Sequence, residues 1–202
     1  MTRSFVKEFF DNKPLDGLKI TITGDWSEKN VNYHLGLLKP PPKARKLLEI
    51  GCGLGRLLIP LYDRGAEHCI GVDASQAMVD AGQEFIKGRN IQMLHYDGTG
   101  IIGLPLDNYF DWVFSIITFQ HIPDTETVKR YLEEAHRLLK HWGGLTFQIL
   151  SHDVKPGREL WTYHDRQVLQ DHLDDLGFKG QWEEAGVWAI YRGRKWRKKK
   201  MI

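Results

Sequence analysis

The sequence has few of the features that mark secreted or membrane proteins. Its 202 residues include only two cysteines, Cys52 and Cys69, which are too few for a disulfide framework and lack the spacing of a zinc site. The N-terminus, MTRSFVKEFFDNK, lacks the unbroken apolar core of a signal peptide, and no segment approaches the roughly 20 apolar residues of a membrane helix. We therefore expect a soluble, cytoplasmic protein.

Basic residues are unevenly distributed along the chain. The net charge is +2, but seven of the 28 Lys and Arg residues lie in the last eleven residues, RGRKWRKKKMI, which contain no acid. Without those seven, 21 basic residues face 26 acidic ones, a net charge of −5. Such a tail, 194–202, is typical of a solvated chain end, our first interpretation, or of a contact with nucleic acid or an anionic membrane; we expect no membrane partner.

Three consecutive prolines at 40–42 divide the chain, because proline cannot continue a helix and favours an extended path. Before them, apolar residues with helical spacing, including Leu35 and Leu38, predict that segment 1–39 forms a helical lid. After them, region 40–193 is predicted to be a single domain, in which short apolar runs alternate with amphipathic helical patterns.

The alternation in this domain predicts an α/β fold. The predicted strands are 46–50, 68–72, 90–95, 112–117 and 145–150, followed by a hairpin of 178–184 and 187–192. The predicted helices are 56–64, 75–87, 125–140 (ended by Gly143 and Gly144) and 165–176. Repeated strand–helix alternation indicates a parallel sheet with helices on both faces, and ligands of such sheets bind beyond the carboxyl ends of the strands.

A glycine-rich turn follows the first predicted strand, in KLLEIGCGLGRLL. Its pattern is Glu49-x-Gly51-x-Gly53-x-Gly55. The dinucleotide fingerprint would need a glycine where Arg56 stands, and no Gly-Lys-Ser/Thr follows as in a phosphate-binding P-loop. The turn therefore favours a ligand that the backbone approaches closely but whose recognition does not depend on phosphate.

Acidic residues end the next two predicted strands. Asp73 stands 22 residues after Gly51, where a carboxylate can accept hydrogen bonds from both hydroxyls of a ribose. Asp97, in HYDG, follows the third strand and is suited to accept a hydrogen bond from an adenine amino group. A single acid at a strand end is usually a cap or turn former, but three features in register indicate a nucleoside site.

The motifs LLEIGCGLGRLL, GVDASQAMVDAG, HYDG and FDWVFSIITFQHIPD, in this order, resemble those of the class I, seven-stranded S-adenosylmethionine-dependent methyltransferases over about 45–192. The resemblance implies a Rossmann-like fold: a doubly wound, mostly parallel seven-stranded sheet in the order 3-2-1-4-5-7-6, with the last strand antiparallel. It also implies S-adenosyl-L-methionine as cofactor and an enzyme that moves a methyl group by in-line displacement.

The resemblance further implies which residues contact the cofactor. These are Glu49, Gly51, Cys52, Gly53, Gly55, Asp73, Ala74, Met78, Asp97, Gly98, Ser115 and Ile116. The glycines would line its methionine portion, Asp73 its ribose and Asp97 with the Gly98 amide the edge of its adenine. The backbone at Ser115 and Ile116 would flank the sulfonium.

The methyl acceptor is predicted less sharply. His121, in FQHIPD, is the candidate general base, with a structural role as the alternative. Candidate contacts with substrate or cofactor are Gln120, His152 and, in the predicted lid, Trp26, Asn30, Tyr33 and His34. No DPPY-like tetrad, typical of enzymes that methylate exocyclic base amines, follows the fourth strand. No His, Asp or Glu cluster has metal spacing, so we expect no metal site.

Three functions remain open. A small-molecule methyltransferase is the leading hypothesis, because the core is compact and carries no sizeable inserted recognition domain. An RNA or protein methyltransferase would use the basic tail as a contact for its substrate. A non-catalytic S-adenosylmethionine-binding protein would keep the same motifs without turnover.

Overall fold

A sheet between two layers of helices organises the chain. The computed structural model describes residues 27–100, 102–152 and 161–196. Seven strands form one sheet in the order β3-β2-β1-β4-β5-β7-β6, and β7 is antiparallel to both of its neighbours. The strands are β1 (Lys46–Ile50), β2 (His68–Asp73), β3 (Ile91–His95), β4 (Phe110–Ser115), β5 (Leu139–Leu150), β6 (Phe178–Ala185) and β7 (Trp188–Lys195). The predicted fold class and strand order are confirmed.

Five helices flank this sheet in the described residues: α1 (Glu28–Leu38), α2 (Leu58–Asp63), α3 (Gln76–Gly82), α4 (Thr125–Leu138) and α5 (Arg166–Leu176). The amphipathic stripe of α4 is buried, and its N-terminus is capped by Asp124, whose side chain accepts a hydrogen bond from the Thr127 amide. α5 begins after the capping Asp165 and ends at Gly177, which adopts the left-handed conformation predicted for it.

The core lies on both faces of the sheet. On one face Phe147 packs with residues of α4 and α5, among them Tyr131 and Leu173. On the other face Trp112 and Phe114 pack with residues of α1 and α2, among them Leu38. Because side chains alternate between the faces of a strand, neighbouring residues at the end of β5 serve different layers.

The boundary between α4 and β5 differs from the prediction. The helix ends at Leu138 and the strand begins at once, so Gly143 and Gly144 lie inside β5 rather than ending the helix. A Cβ on Gly143 would stand 2.9 Å from the Lys140 carbonyl oxygen. These glycines therefore serve the close approach of backbone at an irregularity in the β4–β5 pairing.

Three other elements also have shifted ends. α2 begins at Leu58 rather than at residue 56, since a proline, Pro60, is accommodated only in the first turn of a helix. α3 stops at Gly82, where a Cβ would overlap the side chain of Met93. β4 ends at Ser115, two residues earlier than predicted.

The last strand runs to Lys195, two residues into the predicted tail. The Lys195 ammonium donates hydrogen bonds to the carbonyls of His136 and Leu139, at the C-terminal end of α4. Residues 197–202 of the tail lie outside the described residues. Among the helices of the described part, none is long and apolar enough to cross a membrane.

Candidate functional site

The glycine turn lies at the carboxyl end of β1, in contact with the loop that follows β4. Gly51, Gly53 and Gly55 all have positive φ, at 75°, 54° and 82°. A Cβ on Gly51 would stand 2.2 Å from Oγ1 of Thr118, whose hydroxyl lies 3.1 Å from the Ile116 carbonyl oxygen and 3.4 Å from that of Gly51. The turn therefore requires glycine for its backbone conformation, and at Gly51 for space as well.

Asp73 joins this turn to the end of β2. Its carboxylate accepts hydrogen bonds from the Gly53 amide at 2.8 Å and from the Ser75 amide at 2.9 Å. The side chain predicted to hold a ribose thus also holds the turn predicted to hold the methionine portion. A carboxylate has about four lone-pair sites, so it can accept several hydrogen bonds at the same time.

Glu49 is buried beside the turn and is 3% exposed. Its Oε2 atom has no hydrogen-bond partner within the described part of the chain. Burial raises the pKa of Glu49 well above its usual range, while the positive charge of Arg56 acts in the opposite direction. A buried carboxylate oxygen without a partner is suited to accept a hydrogen bond from a cationic ligand group.

Arg56 connects this carboxylate to α1. The guanidinium is buried and donates to the Asn30 side-chain oxygen at 2.9 Å. His34, on the same helix, is also buried, and burial together with the Arg56 charge lowers its pKa from 6.5 to about 4. The imidazole is therefore neutral near pH 7, and its Nδ1 has no hydrogen-bond partner among the described residues.

The predicted adenine residues lie at neighbouring strand ends. Asp97 accepts a hydrogen bond from the Thr99 amide at 2.8 Å, and a Cβ on Gly98 would stand 3.3 Å from the Ala74 Cβ. The loops after β2 and β3 are therefore adjacent. Met78 is buried and packs with Leu54, beneath the glycine turn.

The side chains of two residues that were predicted to contact the cofactor have structural roles. Cys52 packs where Gly71 leaves space: a Cβ on Gly71 would stand 2.6 Å from the Cys52 sulfur. Burial raises the pKa of the Cys52 thiol well above its usual range. The Ser115 hydroxyl donates to the Ile50 carbonyl at 2.9 Å and so connects β4 to β1. Only the backbone of these residues is left to contact a cofactor.

The chain changes direction sharply after β4. Ile117 has φ of +56°, in the left-handed region that a β-branched residue rarely adopts. Its predecessor Ile116 is buried, and its successor Thr118 contacts the glycine turn. Strained backbone of this kind is common at functional sites.

The candidate acceptor residues are in different environments. Gln120 is fully buried, and neither atom of its amide group has a hydrogen-bond partner within the described residues. His121 is partly buried in the short 3₁₀ helix Phe119–His121. Tyr33 is exposed, and His152 is exposed beside Ser151, whose hydroxyl lies 2.7 Å from its Nδ1. Trp26 lies outside the described residues.

Two buried polar residues near this site were missed by sequence reasoning. His164 is fully buried and bridges the Phe119 carbonyl and the Thr125 hydroxyl, each at 3.0 Å. Gln148, on β5, is buried with both amide atoms lacking a hydrogen-bond partner in the described part of the chain. Neither lies in a recognisable motif, so no local signal in the sequence marked them. In the described ranges, no group of three His, Cys, Asp or Glu residues is arranged to hold a metal ion.

Comparison with known proteins agrees with this geometry. Residues 47–143 match a family model described as a methyltransferase domain. The match covers just under half of the chain, and the order of the strands in the sheet is that of the class I S-adenosylmethionine-dependent methyltransferases. The cofactor of this family is S-adenosylmethionine.

Two curated relatives illustrate the range of the family. One is ajmaline N-methyltransferase from Rauvolfia serpentina, 26% identical over 136 residues, which are 65% of this chain and 45% of the relative. Another is tRNA U34 carboxymethyltransferase from Aliivibrio salmonicida, 35% identical over 98 residues, which are 48% of this chain and 29% of the relative. The chain thus spans less than half the length of these two relatives.

A solved structure has the same fold over its whole length. Magnesium protoporphyrin IX methyltransferase from Synechocystis PCC 6803, with bound SAH, superposes with a TM-score of 0.72. The alignment covers 96% of this chain and all of that chain, at 17% sequence identity. This similarity extends the shared fold well beyond the matched family model.

The residues around the glycine turn fit S-adenosylmethionine. The positive-φ glycines present backbone without Cβ atoms, and the unpaired Glu49 oxygen is placed beside them to accept from an amino group. The carboxylate of Asp73, predicted to accept from the ribose hydroxyls, is bonded to the turn through the Gly53 amide. The individual cofactor contacts remain predictions, but no described side chain contradicts them.

Proposed function

We propose that this protein transfers a methyl group from S-adenosylmethionine to a small-molecule acceptor. The observation that carries the proposal is the placement of the basic segment relative to the glycine turn. β7 is antiparallel to β5 and ends at Lys195, which is level with the amino ends of the parallel strands. Lys195, the last residue of β7, therefore lies at the end of the sheet opposite Gly51, away from the loop that follows β4.

Methyl transfer requires the protein mainly to bind the donor and the acceptor and to orient them. When bound, S-adenosylmethionine supplies a methyl group on a positive sulfur, which an acceptor lone pair attacks in line while the sulfur–carbon electron pair returns to sulfur. Glu49, Gly51 and Asp73 would hold the donor, and the loop at Ile116 and Ile117 would align the acceptor. Proximity and exclusion of water then supply much of the rate.

Proton removal is needed only if the acceptor loses a proton on methylation. His121 is the candidate base, because it follows β4 on the acceptor side. The neutral His34 would be a weaker base, since its pKa is lowered to about 4.

The proposal is tested with methyl-labelled S-adenosylmethionine and a cell extract separated into small-molecule, RNA and protein fractions. We expect the label in the small-molecule fraction, and its loss with the Asp73→Ala variant. Label confined to the RNA or protein fraction would contradict the proposed acceptor class. Tight cofactor binding with no labelled product in any fraction would instead favour a non-catalytic binding protein.

A second candidate is methylation of RNA, favoured by the likeness to a tRNA carboxymethyltransferase and by the basic tail. It is tested by removing residues 197–202, which leaves in place the Lys195 contacts with α4. RNA affinity that falls on truncation and depends steeply on salt would support this candidate. Unchanged affinity would count against it.

A further inference from the structure

Gln148 is a buried polar side chain for which the described part of the chain offers no partner. The residue is 1% exposed, and neither its amide oxygen nor its amide nitrogen has a hydrogen bond within the described residues. A carboxamide that leaves water without finding partners loses free energy, and a leucine of similar size would avoid that loss. Such a group in a native structure therefore needs an explanation.

The position of Gln148 places it on the face of the sheet covered by α1. Its neighbour Phe147 pairs with Ser115 and packs on the α4 side, so Gln148 faces the opposite layer. Thr146, two residues earlier on that same side, accepts a hydrogen bond from the Trp112 indole at 3.1 Å. Thr146 is thus satisfied by the protein, whereas Gln148, nearer the carboxyl end of β5, is not.

Helix α1 closes this face from both ends. At one end the Asn30 oxygen accepts from Arg56, beside the glycine turn. At the other end the Leu37 carbonyl accepts from Arg192 of β7, and Lys39 forms an ion pair with Glu183. The buried His34, with its unpaired Nδ1, lies between these anchors. Both unpaired groups, His34 and Gln148, therefore lie between α1 and the sheet.

The described segments at the carboxyl ends of β4 and β5 carry no fixed charge, and the guanidinium groups of Arg56 and Arg192 on the α1 side each donate a hydrogen bond to α1. The segments that end β4 and β5 and those around β7, namely 115–123, 145–152, 161–164 and 186–191, contain no Asp, Glu, Lys or Arg. Two tryptophans, Trp161 and Trp188, stand with ring centroids 5.0 Å apart, and Trp188 pairs with Leu150 at the end of β5. Aromatic walls without charges suit an uncharged, planar ligand better than a phosphate, a carboxylate or an ammonium group.

We propose that the methyl acceptor is an uncharged, largely apolar molecule whose hydrogen-bonding group pairs with the carboxamide of Gln148. The carboxamide both donates and accepts, so it serves a hydroxyl, an amide or a neutral amine equally. Gln148 is then a specificity-determining residue on β5, and His34, whose Nδ1 also lacks a hydrogen-bond partner among the described residues, lies on the same side of the sheet. This inference rests on the proposed small-molecule methyl transfer and names the class of its substrate.

The test compares Gln148→Leu with a matched control, Gln92→Leu, at an exposed position of β3. The full chain, saturated with S-adenosylhomocysteine, is titrated with 2-naphthol and 2-naphthamide as neutral probes and with 2-naphthoate as the charged probe. We expect the neutral probes to bind the wild type and the control, and to bind Gln148→Leu about tenfold more weakly, as for one lost hydrogen bond in a buried site. Naphthoate should bind more weakly than naphthamide.

The thermal unfolding midpoint separates ligand recognition from a structural role. Because the leucine removes an unpaired buried amide, Gln148→Leu should unfold at the same temperature as the wild type or at a higher one. A lower midpoint would mean that the amide is satisfied inside the protein, by a bound water for example, and would overturn the proposal. So would neutral probes that fail to bind, or that bind Gln148→Leu as tightly as the wild type, or naphthoate that binds as tightly as naphthamide.

Methyl transfer to the same probes distinguishes the two proposals. If probe binding depends on Gln148 but no label passes from S-adenosylmethionine to a probe or to the extract, only the proposed function is contradicted. If label is transferred and Gln148→Leu has the same KM and kcat as the wild type, only the inference about Gln148 is contradicted.

Discussion

The amide of Gly53 donates a hydrogen bond of 2.8 Å to the carboxylate of Asp73. This bond ties the turn after β1 to the end of β2, so the two predicted halves of the cofactor site are held in one geometry. Asp73, which is predicted to bind the ribose, is therefore a structural residue as well. Its replacement should show both effects.

We expect Asp73→Ala to weaken S-adenosylmethionine binding at least tenfold and to lower the free energy of unfolding by about 1–3 kcal/mol. The first effect follows from the lost ribose contact, and the second from the unpaired amides of Gly53 and Ser75. Titration calorimetry and urea unfolding measure them. Asp80→Ala, on the exposed side of α3, is the control, and unchanged cofactor affinity in Asp73→Ala would refute the ribose assignment.

Glu49 is expected to bind the amino group of the cofactor, because its unpaired Oε2 lies beside the turn. Glu49→Gln should therefore weaken S-adenosylmethionine by about tenfold, as for the loss of a charge-assisted hydrogen bond. 5′-Methylthioadenosine, which lacks the amino acid portion, should bind the variant and the wild type equally. If the substitution weakened the binding of both ligands equally, Glu49 would not contact the amino acid portion of the cofactor.

Gly51 combines a strained backbone with a lack of space, and Gly88 provides a matched control. Gly88 has φ of +77°, close to the +75° of Gly51, but an added Cβ there meets nothing within 4 Å. Gly88→Ala should lose about 1–2 kcal/mol in the free energy of unfolding from backbone strain alone. Gly51→Ala should lose about 1–3 kcal/mol more, because its Cβ overlaps Thr118. Equal losses in urea unfolding would argue against this contact.

His34 should make stability depend on pH in the acid range. Its pKa is about 6.5 when unfolded and about 4 when folded, so the unfolded state binds the proton more tightly. The stabilisation from the neutral imidazole is present above pH 6.5 and is lost as pH falls toward 4. Between about pH 7.5 and pH 4.5 the wild type should lose about 2 kcal/mol more than His34→Gln.

This comparison also separates His34 from its buried neighbour. The pKa of Glu49 is raised on folding, so its contribution changes with pH in the opposite sense. Glu49 is present in both proteins, and the difference between them reports His34. Parallel pH profiles in urea unfolding would show that the imidazole is not desolvated as described.

Lys195 should behave as part of the fold rather than of the tail. Its ammonium donates to two carbonyls at the end of α4 and to the Asn108 side chain. Lys195→Ala should lower the free energy of unfolding by about 1–3 kcal/mol, whereas Lys179→Ala, exposed on β6, should stay within about 0.5 kcal/mol of the wild type. If the two variants had the same free energy of unfolding, Lys195 would contribute no more to the fold than an exposed lysine does.

Elements with a strong local signal were predicted closely. The apolar pattern of β1 predicted both of its ends correctly. Helix α5 lies between Asp165, which caps its N-terminus, and Gly177 in the left-handed conformation, and residue type alone indicates both of these roles. The end of α4 was misplaced because Gly143 and Gly144 resemble a helix stop, while their actual role depends on backbone that approaches from β4. That approach joins residues distant in sequence and has no local signature.

The same division holds for the candidate site. The sequence by itself determined the fold and the position of the glycine turn predicted to hold the cofactor, because a glycine pattern and strand-end acids are local features with local physical causes. Only the tertiary structure decided that Gly53 is bonded to Asp73, and that Glu49 and Gln148 are buried with side-chain atoms that lack a hydrogen-bond partner in the described part of the chain. Burial and hydrogen-bond satisfaction depend on what packs across the sheet, and no single stretch of sequence contains both partners.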